Sequence, residues 1–284
     1  MNNRFFNITL GLSATTILLI CGGMFYSLVS GSIGAFDHFG LWGFITGTDW
    51  NPSLESENYG ALPFIAGTIV TSALSLLICI PFALSIALFN GEYFRGKKIA
   101  IFLGSVTDLL AGIPSVIYGL WGFYAIRPLV VAIGLSDQGF CILTASIVLS
   151  IIIIPYAASL SSEFISMVPK DLKEGAYSLG ATRFEVIRTV VFPAANSGII
   201  ASFILSLGRA LGETMAVTML IGNANIIPSS ILDSGNTMAS VIANQFGEAS
   251  DLRLDSLIAI GLLLFLITAV INYIGRLVIT RFNK

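Results

Sequence analysis

Six long apolar stretches govern what this 284-residue chain can fold into. They cover about residues 8–30, 61–89, 99–126, 139–162, 194–222 and 256–275. Each is near or above the roughly 20 residues that a helix needs to cross the hydrocarbon of a bilayer. Lipid offers no partner to a backbone N–H or C=O, so such stretches must satisfy themselves, and helices do so. Composition points the same way. Only 11% of residues are charged and 55% are hydrophobic, with a mean hydropathy of +0.89. A soluble chain of this length needs far more polar surface. The expectation is an all-α polytopic membrane protein with six transmembrane helices. Arg4 precedes the first stretch much as in a signal peptide. No small-x-small cleavage site follows, and Leu18-Leu19-Ile20 before Cys21 lacks the small residues of a lipoprotein signal, so this stretch is read as a retained helix.

Charge placement orients the bundle. One set of connecting segments holds Arg4; Arg95, Lys97 and Lys98; Lys170, Lys173, Arg183 and Arg188; and Arg276, Arg281 and Lys284, which is 11 of the 14 basic residues. The alternate segments hold only Arg127 and Arg253. The positive-inside rule therefore places both termini in the cytoplasm. The outer segments are mildly acidic, with Asp37, Asp49, Glu55 and Glu57 in the first and Asp233, Glu248, Asp251 and Asp255 in the third. Trp42, Trp50 and Tyr59 suit an outer interfacial belt. Cys21, Cys79 and Cys141 lie inside apolar runs and read as packed, reduced side chains. With a net charge of −2, nothing points to a nucleic-acid partner.

Between the fourth and fifth stretches lies the longest strongly charged interval, residues 174–195 (EGAYSLGATRFEVIRTVVFPAA). It reads as two short helices joined by a glycine turn. Pro169 suits a first helical position, where its missing N–H has no intrahelical partner. Leu172, Ala176 and Leu179 make one apolar stripe, and Gly180 can take the left-handed conformation that ends a helix. Thr182 and Glu185 restart the chain as a capping box, followed by Phe184, Ile187 and Val191 as a second stripe, and Pro193 closes it. A helical hairpin at a membrane face is shaped to enter a groove on a soluble partner.

Two further features bear on function. Pro81, Pro114 and Pro155 fall within stretches two, three and four, beside small residues such as Ala111, Gly112 and Ser115. They serve either close helix packing or a moving, pathway-lining element. Arg209 and Glu213 lie in the fifth stretch, near mid-membrane by residue count. An arginine there costs about 2.5–3.5 kcal/mol on insertion scales. Spaced four apart, the two share a helix face and can form a structural ion pair. Their order is the less favourable one for the helix dipole, and Gly208 and Gly212 let a neighbour or a substrate approach, so a role in a transport path or gate stands beside the structural one. Asp108 is a lesser candidate.

Other motifs fail. Residues 91–98 (GEYFRGKK) follow phosphate-loop spacing, but a lysine replaces the final hydroxyl and the stretch follows a membrane helix. His38 is the single histidine, and neither HExxH nor GxSxG is present. No catalytic residue, metal site or cofactor is expected.

Glu174-Gly175-Ala176, then Gly180, then nine residues, then Val190-Val191-Phe192-Pro193 resembles the EAA signature of binding-protein-dependent ABC importer permeases. Gly175, Val190 and Phe192 replace the usual Ala, Ile and Leu. The resemblance implies a type I importer permease fold whose core spans residues 61–284, after a first helix and outer loop at 1–60. It implies that a hairpin near 163–193, with Glu174, Gly175, Ala176, Gly180 and Pro193, couples to a separate ATPase. Residues 44–52 (FITGTDWNP), 110–119 (LAGIPSVIYG) and 208–217 (GRALGETMAV) are similar to permeases of phosphate importers. That similarity implies a transport role for Arg209 and Glu213. It also implies a heterodimer with a second permease, an ATPase dimer, an extracytoplasmic phosphate-binding protein, and residence in the inner (plasma) membrane. The residues alone leave open a permease for another oxyanion, such as molybdate or sulfate, and an ion-coupled carrier using Glu213.

Overall fold

The computed structural model describes residues 3–53 and 57–282. Glu55 and Lys284 of the charge count lie outside them, and the side chains of Arg4 and Arg281 are likewise outside the described set.

The chain begins with α1 (Asn3–Phe39), longer than its apolar stretch, because nothing interrupts it before Gly40 at φ +71°. A short α2 (Leu41–Thr46) leads to two two-residue strands, β1 (Trp50–Asn51) and β2 (Asn58–Tyr59), paired antiparallel with Trp50 opposite Tyr59. Helix α3 (Leu62–Leu88) ends in a π-helical turn, Phe89–Tyr93. Then come α4 (Lys98–Gly112), α5 (Ser115–Tyr124), α6 (Ile126–Ala132) and α7 (Ile142–Met167). The hairpin comprises α8 (Lys170–Ser178) and α9 (Arg183–Val186), and a second π-helical turn, Ile187–Val191, carries α9 into α10 (Phe192–Leu211). The chain finishes through α11 (Met215–Thr218), α12 (Met238–Gln245) and α13 (Asp251–Phe282).

Six helical segments among the described residues are long and apolar enough to cross a membrane. The organising element is α7. Two-thirds (67%) of its most apolar window is buried, against none of the corresponding window of α1. It packs on α3, α10, α4 and α5, with Cys79 and Ala83 of α3 against Leu149, Ile153 and Ala157 of α7. Ser146 adds a polar tie, donating to the Thr71 carbonyl at 3.2 Å. On the flank, α1 lies against α13, where Gly31 and Gly34 leave room for Ile258 and Asp255.

Several expectations need correction. The third stretch is not one helix over 99–126. Pro114 pushes Ile113 out of the helical region to φ −70°, ψ 130°, as the residue before a proline usually is. The run therefore splits into α4 and α5, and the apolar span shifts to Ser115–Ala132. Pro81 and Pro155, by contrast, stand inside unbroken helices, and Ser85 bonds to the Pro81 carbonyl at 2.7 Å. The fifth stretch stops at Leu211 rather than 222. Pro193 does not close the hairpin. It occupies the first turn of α10, directly after the π-helical turn Ile187–Val191.

Trp50 and Tyr59 do not form an interfacial belt either. They are buried against Phe44 and Phe64, because the strand pair folds back onto α3, and the Trp50 indole donates to Gln245 Oε1 at 3.0 Å. Trp42 remains exposed. Cys79 and Cys141 are buried and unbridged, but Cys21 lies on the outer surface of α1.

Candidate functional sites

Arg209 occupies the last turn of α10, and Gly212 follows the helix end at φ −93°, ψ −1°. The guanidinium lies over Tyr156, its Cζ 3.9 Å from the ring centroid. Tyr156 is the fifteenth residue of the 26-residue α7, counting from Ile142, so this contact is at mid-depth of the most buried helix. A cation over a tyrosine face is held by the ring quadrupole, more strongly where water is scarce. Arg209 itself is exposed at the surface of the single chain.

The Arg209–Glu213 ion pair is not formed: among the described residues the one side-chain ion pair joins Lys173 and Glu92. The reason is the helix end between them. With the helix stopped at Leu211, the i, i+4 geometry that would align the two side chains is lost. Glu213 instead takes an N-terminal position before α11, its Oε1 accepting from the Ala216 N–H at 3.4 Å, where a carboxylate suits the helix dipole. Gly208 faces α13, where an added Cβ would stand 3.3 Å from Asn272 Oδ1. An added Cβ at Gly212 would meet only the Arg209 carbonyl, at 3.9 Å.

The break at Pro114 is stabilised locally. Tyr118, itself buried, donates its hydroxyl to the Leu110 carbonyl at 2.9 Å, satisfying a group freed at the end of α4. Asp108 of α4 borders a cavity of about 260 Å³ whose walls include Asn90, Thr107, Ser159 and Ser162.

The hairpin is built as its sequence predicts at both caps. Gly180 has φ +83°, Ala181 N–H bonds the Ala176 carbonyl at 3.2 Å, and Gly180 N–H bonds the Tyr177 carbonyl at 2.9 Å, the paired bonds of a Schellman stop. Thr182 and Glu185 form the reciprocal capping box. Pro169, however, precedes the first helical residue instead of filling it. The two stripes divide differently from expectation. Ile187 and Val191 are buried, and one cluster joins Val186 and Val191 to Ile165, Val168 and Ala87. Leu172, Leu179 and Phe184 are exposed, Leu179 by 90%. Glu174 and Gly175 also lie on the exposed surface, Ala176 packs against the inner cluster, and Pro193 is exposed at the start of α10.

Sequence reasoning missed Tyr156, Tyr118 and Glu92. Each had a visible signal: a polar-tipped aromatic beside a proline in an apolar run, or a carboxylate within the failed phosphate-loop motif. Their partners, however, are remote in sequence or lie across a helix break.

Residues 79–284 match the model of the binding-protein-dependent transport system inner membrane component family. The chain is 39% identical to the phosphate transport system permease protein PstC of Mesorhizobium japonicum, over 100% of this chain and 91% of that protein. It is 41% identical to the PstC protein of Pasteurella multocida, over 95% of this chain and 89% of that one. Among solved structures, a bacterial alginate ABC transporter superposes with a TM-score of 0.65 at 17% identity, covering 94% of this chain and 92% of its own. The inward-facing MetNI methionine ABC transporter gives 0.61 at 16% identity, covering 78% of this chain and 97% of its own.

Proposed function

The chain belongs to the binding-protein-dependent transport system inner membrane component family, and from that premise we propose that it is the PstC-type permease subunit of an ATP-driven phosphate importer. It is a multi-pass membrane protein and a transport component rather than an enzyme, with ATP hydrolysis left to a partner. The observation that carries the cargo reading is Arg209. It presents a mid-depth guanidinium, backed by Tyr156, with no carboxylate bound to it among the described residues. A guanidinium in that state can bind phosphate oxygens in bidentate fashion. Its exposure on the single chain supports a path that a second, PstA-like permease closes.

On this reading both termini and the hairpin face the cytoplasm of a bacterium or archaeon, as the basic residues imply. Leu172, Leu179 and Phe184, beside Glu174 and Gly175, fit a groove on a PstB-like ATPase. Gly180 sets the turn between the two hairpin helices, Ala176 packs its inner side, and Pro193 starts the helix that carries its motion to Arg209. A PstS-like binding protein delivers phosphate to the opposite face. When ATP closes the ATPase dimer, the hairpin is pushed and the bundle turns outward. Phosphate then enters and neutralises Arg209. Glu213, tied to the start of α11, is the gate residue of this reading: it lies on the loop joining the end of α10 to α11.

The test is uptake into proteoliposomes containing the assembled transporter and binding protein. ATP-dependent phosphate uptake, unaffected by excess molybdate or sulfate, is the expected result. Uptake driven by a proton gradient without ATP would overturn it, as would transport of molybdate or sulfate in preference to phosphate.

A further inference from the structure

The phosphate-loop-like stretch at 91–98 has an unexpected use. Its first residues form the π-helical turn Phe89–Tyr93 between α3 and α4, and the hairpin is fastened to that turn at three points. Lys173 of α8 pairs with the Glu92 carboxylate, with side chains only 10% and 9% exposed. Arg183 of α9 donates to the Glu92 carbonyl at 3.1 Å and to the Tyr93 carbonyl at 2.8 Å. The same guanidinium lies 4.3 Å from the Tyr93 ring centroid. Gly91 brings the turn against α7, since a Cβ there would stand 2.7 Å from the Ser162 carbonyl. The Phe89 and Phe94 rings, 4.3 Å apart, close the turn on itself.

We propose that Glu92 is a positioning residue for coupling, a latch that locks the hairpin to the α3–α4 corner so that one push moves both sides of the bundle. The chain runs directly from α7 into the hairpin and on into α10, and Val186 of α9 shares a buried cluster with Ile165 of α7 and Ala87 of α3. Nothing covalent links it to α3 and α4 over that short distance, and α4 leads to the Pro114 break. Both helices of the hairpin reach the same turn, which fixes its angle as well as its position. A buried ion pair is demanding in geometry, and losing one partner leaves the other uncompensated, so the latch resists sliding.

The inference rests on the reading of the hairpin as the ATPase dock, and the experiment separates the two. The reconstituted transporter is assayed for phosphate imported per ATP hydrolysed. Wild-type vesicles without ATP-driven uptake would sink the functional reading before any variant is compared. With wild-type uptake in hand, Glu92→Gln combined with Lys173→Met removes the pair without leaving a buried charge. The ratio is expected to fall by about tenfold while the ATPase subunits still co-purify. The exchange of Glu92→Lys with Lys173→Glu should recover the ratio to within about twofold, as a pairwise coupling demands. An unchanged ratio in the neutral pair, or an exchange variant that assembles but stays uncoupled, overturns the latch.

Discussion

The guanidinium of Arg209 lies 3.9 Å from the centre of the Tyr156 ring, although the two residues come from different membrane helices and are 53 positions apart. This contact gives the guanidinium a partner that does not neutralise it. An ion pair with Glu213 would compete with an arriving phosphate, whereas an aromatic face leaves the fork of N–H donors available.

Replacing Tyr156 with leucine should therefore loosen Arg209 without unfolding the helix. The contact contributes about 0.5–2 kcal/mol. The expected result is a rise in KM for phosphate uptake with kcat nearly unchanged, while Tyr156→Phe behaves as wild type. Equal behaviour of the leucine and phenylalanine variants would remove the positioning role.

Arg209→Gln should forfeit about 2 kcal/mol or more of phosphate interaction, because the anion then enters the membrane uncompensated. Uptake at low phosphate should fall more than about tenfold. Arg209→Lys, which keeps the charge but not the fork, should fall between the two. Near-normal uptake by an assembled Arg209→Gln transporter would exclude Arg209 from the path.

Gly180→Val tests the hairpin turn. An added Cβ at Gly180 meets nothing within 4 Å, so the cost is backbone strain alone. A non-glycine residue at φ +83° is disfavoured by roughly 1–2 kcal/mol. Phosphate uptake per ATP should drop, and Gly180→Asn should retain most of it, since asparagine tolerates this conformation better.

Leu179→Asp addresses docking. At 90% exposure, Leu179 contributes little to the fold, and thermal stability should change by less than about 0.5 kcal/mol. Co-purification of the ATPase subunits should nonetheless be lost. Retention of the ATPase would move the dock elsewhere.

Tyr118→Phe should destabilise the break at Pro114. Without the hydroxyl, the Leu110 carbonyl keeps only the Ile113 N–H at 3.3 Å, a loss of about 0.5–1.5 kcal/mol. A lowered melting temperature in detergent, with assembly intact, is the expected reading.

Where helices begin and end was legible only in part. The Schellman stop at Gly180 and the capping box at Thr182–Glu185 are encoded by adjacent residues, so local sequence was enough to find them. Pro81, Pro114 and Pro155 look alike in the sequence, yet only Pro114 breaks its helix. At Pro114 the Tyr118 hydroxyl serves the freed carbonyl, whereas Pro81 is tolerated with Ser85 on its own carbonyl.

Sequence by itself determined the helical class and the number of apolar spans, because bilayer thickness and desolvation act on composition along the chain. Tertiary structure alone decided what the charged side chains touch. Arg209 turned to Tyr156 once α10 ended before Glu213, and Glu92 of a failed motif met Lys173 some 80 residues away. Contacts of that kind depend on where separate helices cross, and no local periodicity records a crossing.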